Sequence, residues 1–188
     1  PWYLKAAPAS NPGSDAVWSD PYLDAALNGI VITNSAPVYG KAGNLYGVVA
    51  QDIQLTRISD IIANIRVGQS GYAFLIDRDR RLIAMPEAGY SDLGIDPATT
   101  PLGNELKPES VSTSAAALND IILQMTSGNS GFSEISLNDT QRFVVYRNVE
   151  GVDFSLAIIV PAEEMLVKAL EARQQLEREN INVLVLSV

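Results

Sequence analysis

The residue types best suited to recognition chemistry crowd into one short opening segment. "PWYLKAAPASNPGSDAVWSDPYLD" holds both tryptophans, Trp2 and Trp18, and two of the seven tyrosines, Tyr3 and Tyr22, beside Asp15, Asp20 and Asp24. It is too rich in Pro, Ser, Asn and Gly to be a regular core element. Aromatic faces beside carboxylates suit a cation. An ammonium over a ring gains roughly 0.5–2 kcal/mol when desolvated, and a carboxylate adds a charge-assisted hydrogen bond. Tyr22 and Asp24 are spaced i, i+2, so in extended chain they point to one side together. Trp2 and Tyr3, if extended, face opposite ways, so one of them joins the core while the other borders a cavity. Trp18 is expected to pack as a plug.

Asp52 completes the set. In "YGVVAQDI" the same-face residues are Val48, Ala50 and Asp52, which places a carboxylate at the end of an apolar row. The candidate ligand-binding residues are thus Trp2, Tyr3, Tyr22, Asp24 and Asp52, and together they suit an amine. Simpler roles exist for two of them. Asp52 can end its strand before a helix, and Asp24 can cap the turn in "SDPYLD".

Composition removes whole classes of function. A chain of 188 residues with 47% hydrophobic content can bury a sizeable core, enough for one domain or two small ones. A net charge of -9 without a Lys/Arg cluster gives no electrostatic reason to hold nucleic acid. The absence of Cys and His removes thiol nucleophiles, Ser-His and Cys-His catalysis and the usual zinc sites. No phosphate-cradling glycine motif or nucleophile elbow occurs, and nothing calls for a cofactor. "DRDRR" lacks the Gly and the later Glu of a calcium loop and reads as a solvated hairpin tip. An enzyme would have to rest on a carboxylate pair such as Asp24 and Asp52 acting as a glycosidase. An open groove would support that role, whereas a closed cavity fitting a few heavy atoms supports sensing.

The elements that position these residues form an order that occurs twice. "GIVITNSAPVYG" and "NLYGVVAQDI" read as strands around a Lys41-Ala42-Gly43-Asn44 turn, followed by Leu55, Ile58, Ile61, Ile62 and Ile65 at helical spacing. "SGFSEISLND", "QRFVVYRNVEG" and "DFSLAIIV" read as antiparallel strands followed by a helix with Pro161 in its first turn and Glu163 and Glu164 at its positive end. Setting Gly43 against Gly151 without gaps puts Ile58 on Leu166, Ile62 on Leu170 and Asp52 on Val160. Between the repeats, "GYAFLIDRDRRLIAMPE" is a hairpin turning at Arg78-Asp79-Arg80. Leu118, Ile121, Ile122 and Met125 then share one helical face. Antiparallel strands interrupted by helices indicate an α+β fold, with the first of two related modules lacking its front half.

The linked series "PWYLKA", "W..PYLD", "T.S.PV", "G.LYGVVAQDI", "GYAFLIDRDRRLIAMPE" and "FSLAIIVPAEEM" resembles the double Cache sensor domains of bacterial transmembrane receptors, chiefly chemoreceptors and histidine kinases. The resemblance covers nearly the whole chain. It implies two PAS-like modules with antiparallel sheets after a long N-terminal helix, and a small ligand held in the membrane-distal one. On that basis residues 1–67 are the later part of the distal module, 68–160 the proximal module, 161–180 a signalling helix and 181–188 the start of a transmembrane helix. It further implies an extracytoplasmic, periplasmic location and no catalysis by this domain. Members that bind amino acids carry an Arg just before the Trp-Tyr pair for the ligand carboxylate, while a Tyr, an Asp and a later Asp take the amine. Trp2, Tyr22, Asp24 and Asp52 fall on those positions, and the Arg would precede Pro1. The ligand is therefore expected to be an amino acid or a simple amine, with a carboxylate ligand or a partner protein as alternatives.

The ends fit a piece of a membrane receptor. No charged leader stands before Pro1, so targeting information is expected upstream. "INVLVLSV" directly follows the charged "EARQQLEREN" and reads as the first turns of a membrane span. Leu166, Ala169 and Leu170 are expected to pack on the proximal sheet, with weak pairing to a second subunit through Ala172 and Leu176.

Overall fold

The computed structural model describes residues 2–24, 26, 29–111 and 115–178. Within them the chain runs α1 (Trp2–Ala6), β1 (Val17–Trp18), β2 (Tyr22–Asp24), β3 (Gly29–Tyr39), β4 (Leu45–Gln54), α2 (Leu55–Ala63), β5 (Tyr72–Asp77), β6 (Leu82–Ala84), α3 (Glu87–Leu93), α4 (Ala117–Thr126), β7 (Gly131–Leu137), β8 (Thr140–Val149), β9 (Phe154–Pro161) and α5 (Ala162–Arg178). The α+β class expected from the sequence is what forms.

Two antiparallel sheets divide these strands. In the first, β3 pairs with β4 along one edge, while β1 and β2 lie end to end along the other. The second is ordered β6-β5-β9-β8-β7. The turns linking β3 to β4 and β8 to β9 each use a glycine at φ 80°, Gly43 and Gly151, a left-handed conformation that residues with a Cβ rarely adopt. These glycines are therefore equivalent, as their alignment implied. The strands that follow differ in length, however. Leu55 opens α2 twelve residues after Gly43, whereas Ala162 opens α5 eleven residues after Gly151. Counted back from the helix starts, Asp52 corresponds to Ile159 and not to Val160.

All six residues of β5 are buried, and their alternation shows why. Tyr72, Phe74 and Ile76 point into a core closed by α3 and α4, where Leu93, Leu118, Ile121, Ile122 and Met125 pack against Val144 and Ile159. The helical face read from the sequence as Leu118, Ile121, Ile122 and Met125 is buried as expected. Ala73 and Leu75 point the other way and join Ile83 and Phe154 in a second cluster with Ile32, Leu55 and Ile62 of the first sheet and its helix. A strand covered on both faces needs this unbroken apolar run. The second cluster cements the two sheets together, and Trp18 plugs its rim with its ring 6.3 Å from Phe154.

Four expectations need correction. Trp2 and Tyr3 lie on the short helix α1 rather than on extended chain, and their rings meet edge to face at 5.9 Å. Consecutive helical residues diverge by about 100°, so they do not face opposite ways. Ile61 is 68% exposed, because α2 is only nine residues long and buries a single stripe headed by Leu55 and Ile62. Leu166 and Leu170, at 58% and 56% exposure, do not pack on the sheet. Helix α5 leaves the domain surface almost from its start. Pro161 closes β9 instead of opening the helix. The first turn of α5 is tied down by Glu164, whose carboxylate accepts the amide N–H of Gln69 at 2.6 Å and that of Ser70 at 3.1 Å. No described helix is long and apolar enough to cross a membrane, and the predicted start of a span at 181–188 lies outside the described residues.

Candidate binding face of the first sheet

The register of the first sheet decides which side chains share a face. Thr33 pairs with Asp52 and Ser35 with Ala50 across β3 and β4, while Tyr22 pairs with Val31 and Asp24 with Gly29 across β2 and β3. Because side chains alternate, Tyr22, Asp24, Val31, Thr33, Ser35, Ala50 and Asp52 all stand on one face. Ile30, Ile32 and Ile53 stand on the opposite face, which packs on the second sheet. The core side of the sheet and the side that carries Tyr22, Asp24 and Asp52 are thus separated by its pleat alone.

Three of these side chains touch. The Thr33 hydroxyl donates to Asp52 Oδ1 at 2.6 Å, the Tyr22 hydroxyl lies 2.7 Å from Thr33 Oγ1, and it lies 3.5 Å from Asp52 Oδ1. Thr33 is fully buried, Tyr22 is half-buried and Asp52 is exposed, so the cluster runs from inside the sheet outward. Asp24 is half-buried on the same face, at the far end of β2. Helix α1 lies over this side of β3, where the Ser35 hydroxyl donates to the Trp2 carbonyl at 3.3 Å. Of the five residues proposed from the sequence, Tyr22, Asp24 and Asp52 are gathered on one face. Trp2 is brought to it through its main chain, and Tyr3 stays 46% exposed on the helix above. The face is open to solvent at Asp52, so the closed cavity expected of a sensor is not formed there by the described residues. Two clefts of about 600 and 620 Å³ lie elsewhere, one between β1 and the β8–β9 turn and one beside Arg81.

Sequence reasoning missed Thr33, although its signal is visible afterwards. In "IVITNSAPV", Thr33 and Ser35 are polar residues two apart, hence on one side of the strand, and they stand opposite Asp52 and Ala50. It also missed Asp20. Its Oδ1 sits 3.1 Å from Lys5 Nζ of α1 and 2.9 Å from an Arg81 guanidinium nitrogen beyond β5. Partial burial pushes the Asp20 carboxyl up, but its bonds to Arg81 and Lys5 outweigh that and hold it below the ordinary aspartate value. Arg81 also reaches Asp77 at 3.5 Å and pairs with Asp79. Burial raises the Asp77 carboxyl, and the N–H groups of Arg81 and Asp79 only partly offset this. One carboxylate beside Tyr22 therefore joins helix α1, the first sheet and the second sheet.

Known proteins share this fold. The Cache domain family profile matches residues 2–169. The methyl-accepting chemotaxis protein PctB of Pseudomonas aeruginosa is 26% identical over 168 residues, which cover 87% of this chain and 22% of that protein. The ligand-binding domain of the same PctB, solved with L-Arg, superposes with a TM-score of 0.52 at 24% identity, over 88% of this chain and 60% of that one. The ligand-binding domain of the Pseudomonas fluorescens chemoreceptor CtaA, solved with L-leucine, gives 0.56 at 20% identity, again over 88% and 60%. This chain thus spans about a fifth of the full-length receptor and somewhat over half of the solved domains. With two antiparallel sheets in sequence, the repeated strand–strand–helix order and a profile match over most of its length, the chain belongs to the double Cache family of sensor domains.

Proposed function

We propose that this chain is the ligand-sensing part of a transmembrane signalling receptor, and that it binds an amino acid or a simple amine on the face of the first sheet that carries Tyr22, Asp24 and Asp52. The observation that carries the reading is the Tyr22–Thr33–Asp52 cluster, a polar wedge placed where the second sheet has a fully buried apolar pair. In this reading the first sheet belongs to the membrane-distal module, residues 1–67, and the second to the proximal module, residues 68–160. Tyr22, Asp24 and Asp52 take the ammonium, and the aromatic helix α1, with Trp2 and Tyr3, closes over it. Two relatives solved with L-Arg and L-leucine support an amino acid as the ligand class. The receptor is anchored beyond residue 180, the sensing face lies outside the cytoplasm, and catalysis belongs to other parts of the full protein. Binding involves no chemistry on the ligand: an occupant that prefers one arrangement of the sheets shifts an equilibrium, which α5 carries onward.

The test is a thermal-shift panel of L-amino acids and primary amines against dicarboxylates and sugars. A ligand at a hundred times its Kd stabilises the fold by about 2.7 kcal/mol. Amines and amino acids should raise the melting temperature of the wild type and leave Asp52→Ala unmoved. A chain stabilised only by acids without an amine would refute the reading.

A further inference from the structure

The hydroxyl protons of the cluster have a direction that can be worked out. Thr33 Oγ1 and Asp52 Oδ1 stand 2.6 Å apart, a separation that two oxygens hold only with a proton between them. The Thr33 hydroxyl donates to Asp52 Oδ1, so its one proton is spent there. Thr33 Oγ1 can then meet Tyr22 Oη, 2.7 Å away, only as an acceptor, and the Tyr22 proton points inward at Thr33. The opposite arrangement has Tyr22 donating to Asp52 and Thr33 donating to Tyr22. It would stretch one bond to 3.5 Å and leave two lone pairs facing each other at 2.6 Å. The inward chain is the one that fits the distances.

What the cluster shows to solvent follows from this. Both hydroxyl protons are committed inward, so the outer lone pair of Tyr22 Oη and the second oxygen of Asp52 are acceptors with no donor beside them in the cluster. We propose that Thr33, buried behind the face, is a positioning residue that makes Tyr22 and Asp52 present acceptors only, so that the face selects ammonium groups carrying N–H donors over carboxylates and over cations without N–H. This rests on the reading of Tyr22 and Asp52 as ligand-facing and adds to it a rule for selection. Attraction to an aromatic face alone would favour methylammonium and tetramethylammonium alike. A proton-directed acceptor pair separates them.

The experiment uses this chain with methylammonium, tetramethylammonium and acetate as probes, in the wild type, Thr33→Ser and Thr33→Val. In the wild type, methylammonium should bind more than about tenfold tighter than tetramethylammonium, the equivalent of one net hydrogen bond to a charged group. Thr33→Ser keeps the hydroxyl and should keep that preference. Thr33→Val keeps the shape, frees the Tyr22 proton to turn outward and should lose most of it. A second readout needs no ligand. The buried Thr33 hydroxyl proton should give a slowly exchanging NMR resonance coupled to the Asp52 carboxylate carbon, and it should vanish in Thr33→Val. Tetramethylammonium binding as well as methylammonium, an unchanged preference in Thr33→Val, or a missing hydroxyl resonance would each overturn the rule. A wild type that prefers acetate would instead refute the amine reading of the face. Should none of the three probes bind, the amine reading of the face fails and the selection rule falls with it.

Discussion

Thr33 and Asp52 in the first sheet occupy the register that Val144 and Ile159 occupy in the second. Each pair bridges neighbouring antiparallel strands, and its second member stands three residues before a helix begins. Val144 and Ile159 are fully buried beneath α3 and α4, and β9, which carries Ile159, is paired on both edges, by β8 and by β5. Among the described residues β4 is paired only by β3, and Asp52 is exposed. One strand–strand–helix plan thus supports a packed core in one place and a solvent-open polar cluster in the other. The difference lies in what covers the sheet. A position closed on every side must be apolar, because a buried carboxylate without a partner costs several kcal/mol, whereas a carboxylate on an open edge strand, as Asp52 is on β4, stays hydrated.

Exchanging residues between the two registers should give the largest effect. Ile159→Asp buries a carboxylate beside Val144, which has nothing to donate. We expect it to cost about 4 kcal/mol or more, enough to unfold much of the population in urea melts. Asp52→Ile should change stability by less than about 1 kcal/mol while removing the response to amines, since the residue is exposed. If both substitutions cost the same, the two faces are not different environments and the comparison fails.

The ionic link between the sheets is a smaller contribution. Asp20 is about half exposed, so its pair with Arg81 should contribute only about 0.5–1 kcal/mol after solvent screening. Asp20→Asn should therefore lower stability by a small amount and Arg81→Gln by more, since Arg81 also pairs with Asp77 and Asp79, and the double substitution should cost less than their sum. The sign of the pH dependence follows from the depressed Asp20 carboxyl. Its contribution is complete above the unfolded value of 3.8 and is lost as pH falls below 3.8 through the lower folded value. Asp77, whose carboxyl is raised, acts in the opposite sense: it favours the fold at low pH and loses that contribution as pH rises through its folded value. Acid titration of Asp20→Asn should show a shallower loss of stability below that point than the wild type. Equal slopes would mean that the sheets are held by the apolar cluster alone.

How far the sequence disclosed this molecule depended on how local each signal was. Strand alternation and the glycine turns at Gly43 and Gly151 located both strand pairs, and the spacing of Leu118, Ile121, Ile122 and Met125 located the covering helix. Those signals lie within a dozen residues and need no knowledge of the fold. That Tyr22 and Asp24 share a face was also legible, from their spacing, and Asp52 was noticed as a carboxylate at the end of an apolar row. Thr33 was not, because a threonine in a strand is ordinary until its cross-strand partner is known to be a carboxylate. Asp20 escaped for a similar reason, since its partners Lys5 and Arg81 lie on other elements. The conformation of Trp2 and Tyr3 was misjudged because a five-residue helix has too short a pattern to separate from extended chain. The exposure of Leu166 and Leu170 was missed because helical spacing shows which residues share a face, not whether anything covers it.

The two helices that follow the repeated strand pairs give the finest test. Helix α2 follows β4 and lies between the sheets, with Leu55 and Ile62 buried against Ala73, Leu75 and Ile83. Helix α5 follows β9 in the same way, yet Leu166, Val167 and Leu170 are 58%, 47% and 56% exposed. The same position in the plan is thus a cemented joint in one repeat and a free-standing rod in the other. Ile62→Ala should cost about 2–4 kcal/mol through the lost burial and the cavity left behind. Leu170→Ala should fall within about 0.5 kcal/mol of the wild type, because it removes no core contact and alanine is the better helix former. A cost near 2 kcal/mol at Leu170 would show that α5 is packed in solution, and the rod-like route for the signal would then lose its basis. With only the expected small effect, the apolar hold of α5 on the domain is confined to its first turn, at Ala162, and the rest of the helix is free to move, which the proposed relay of a displacement requires.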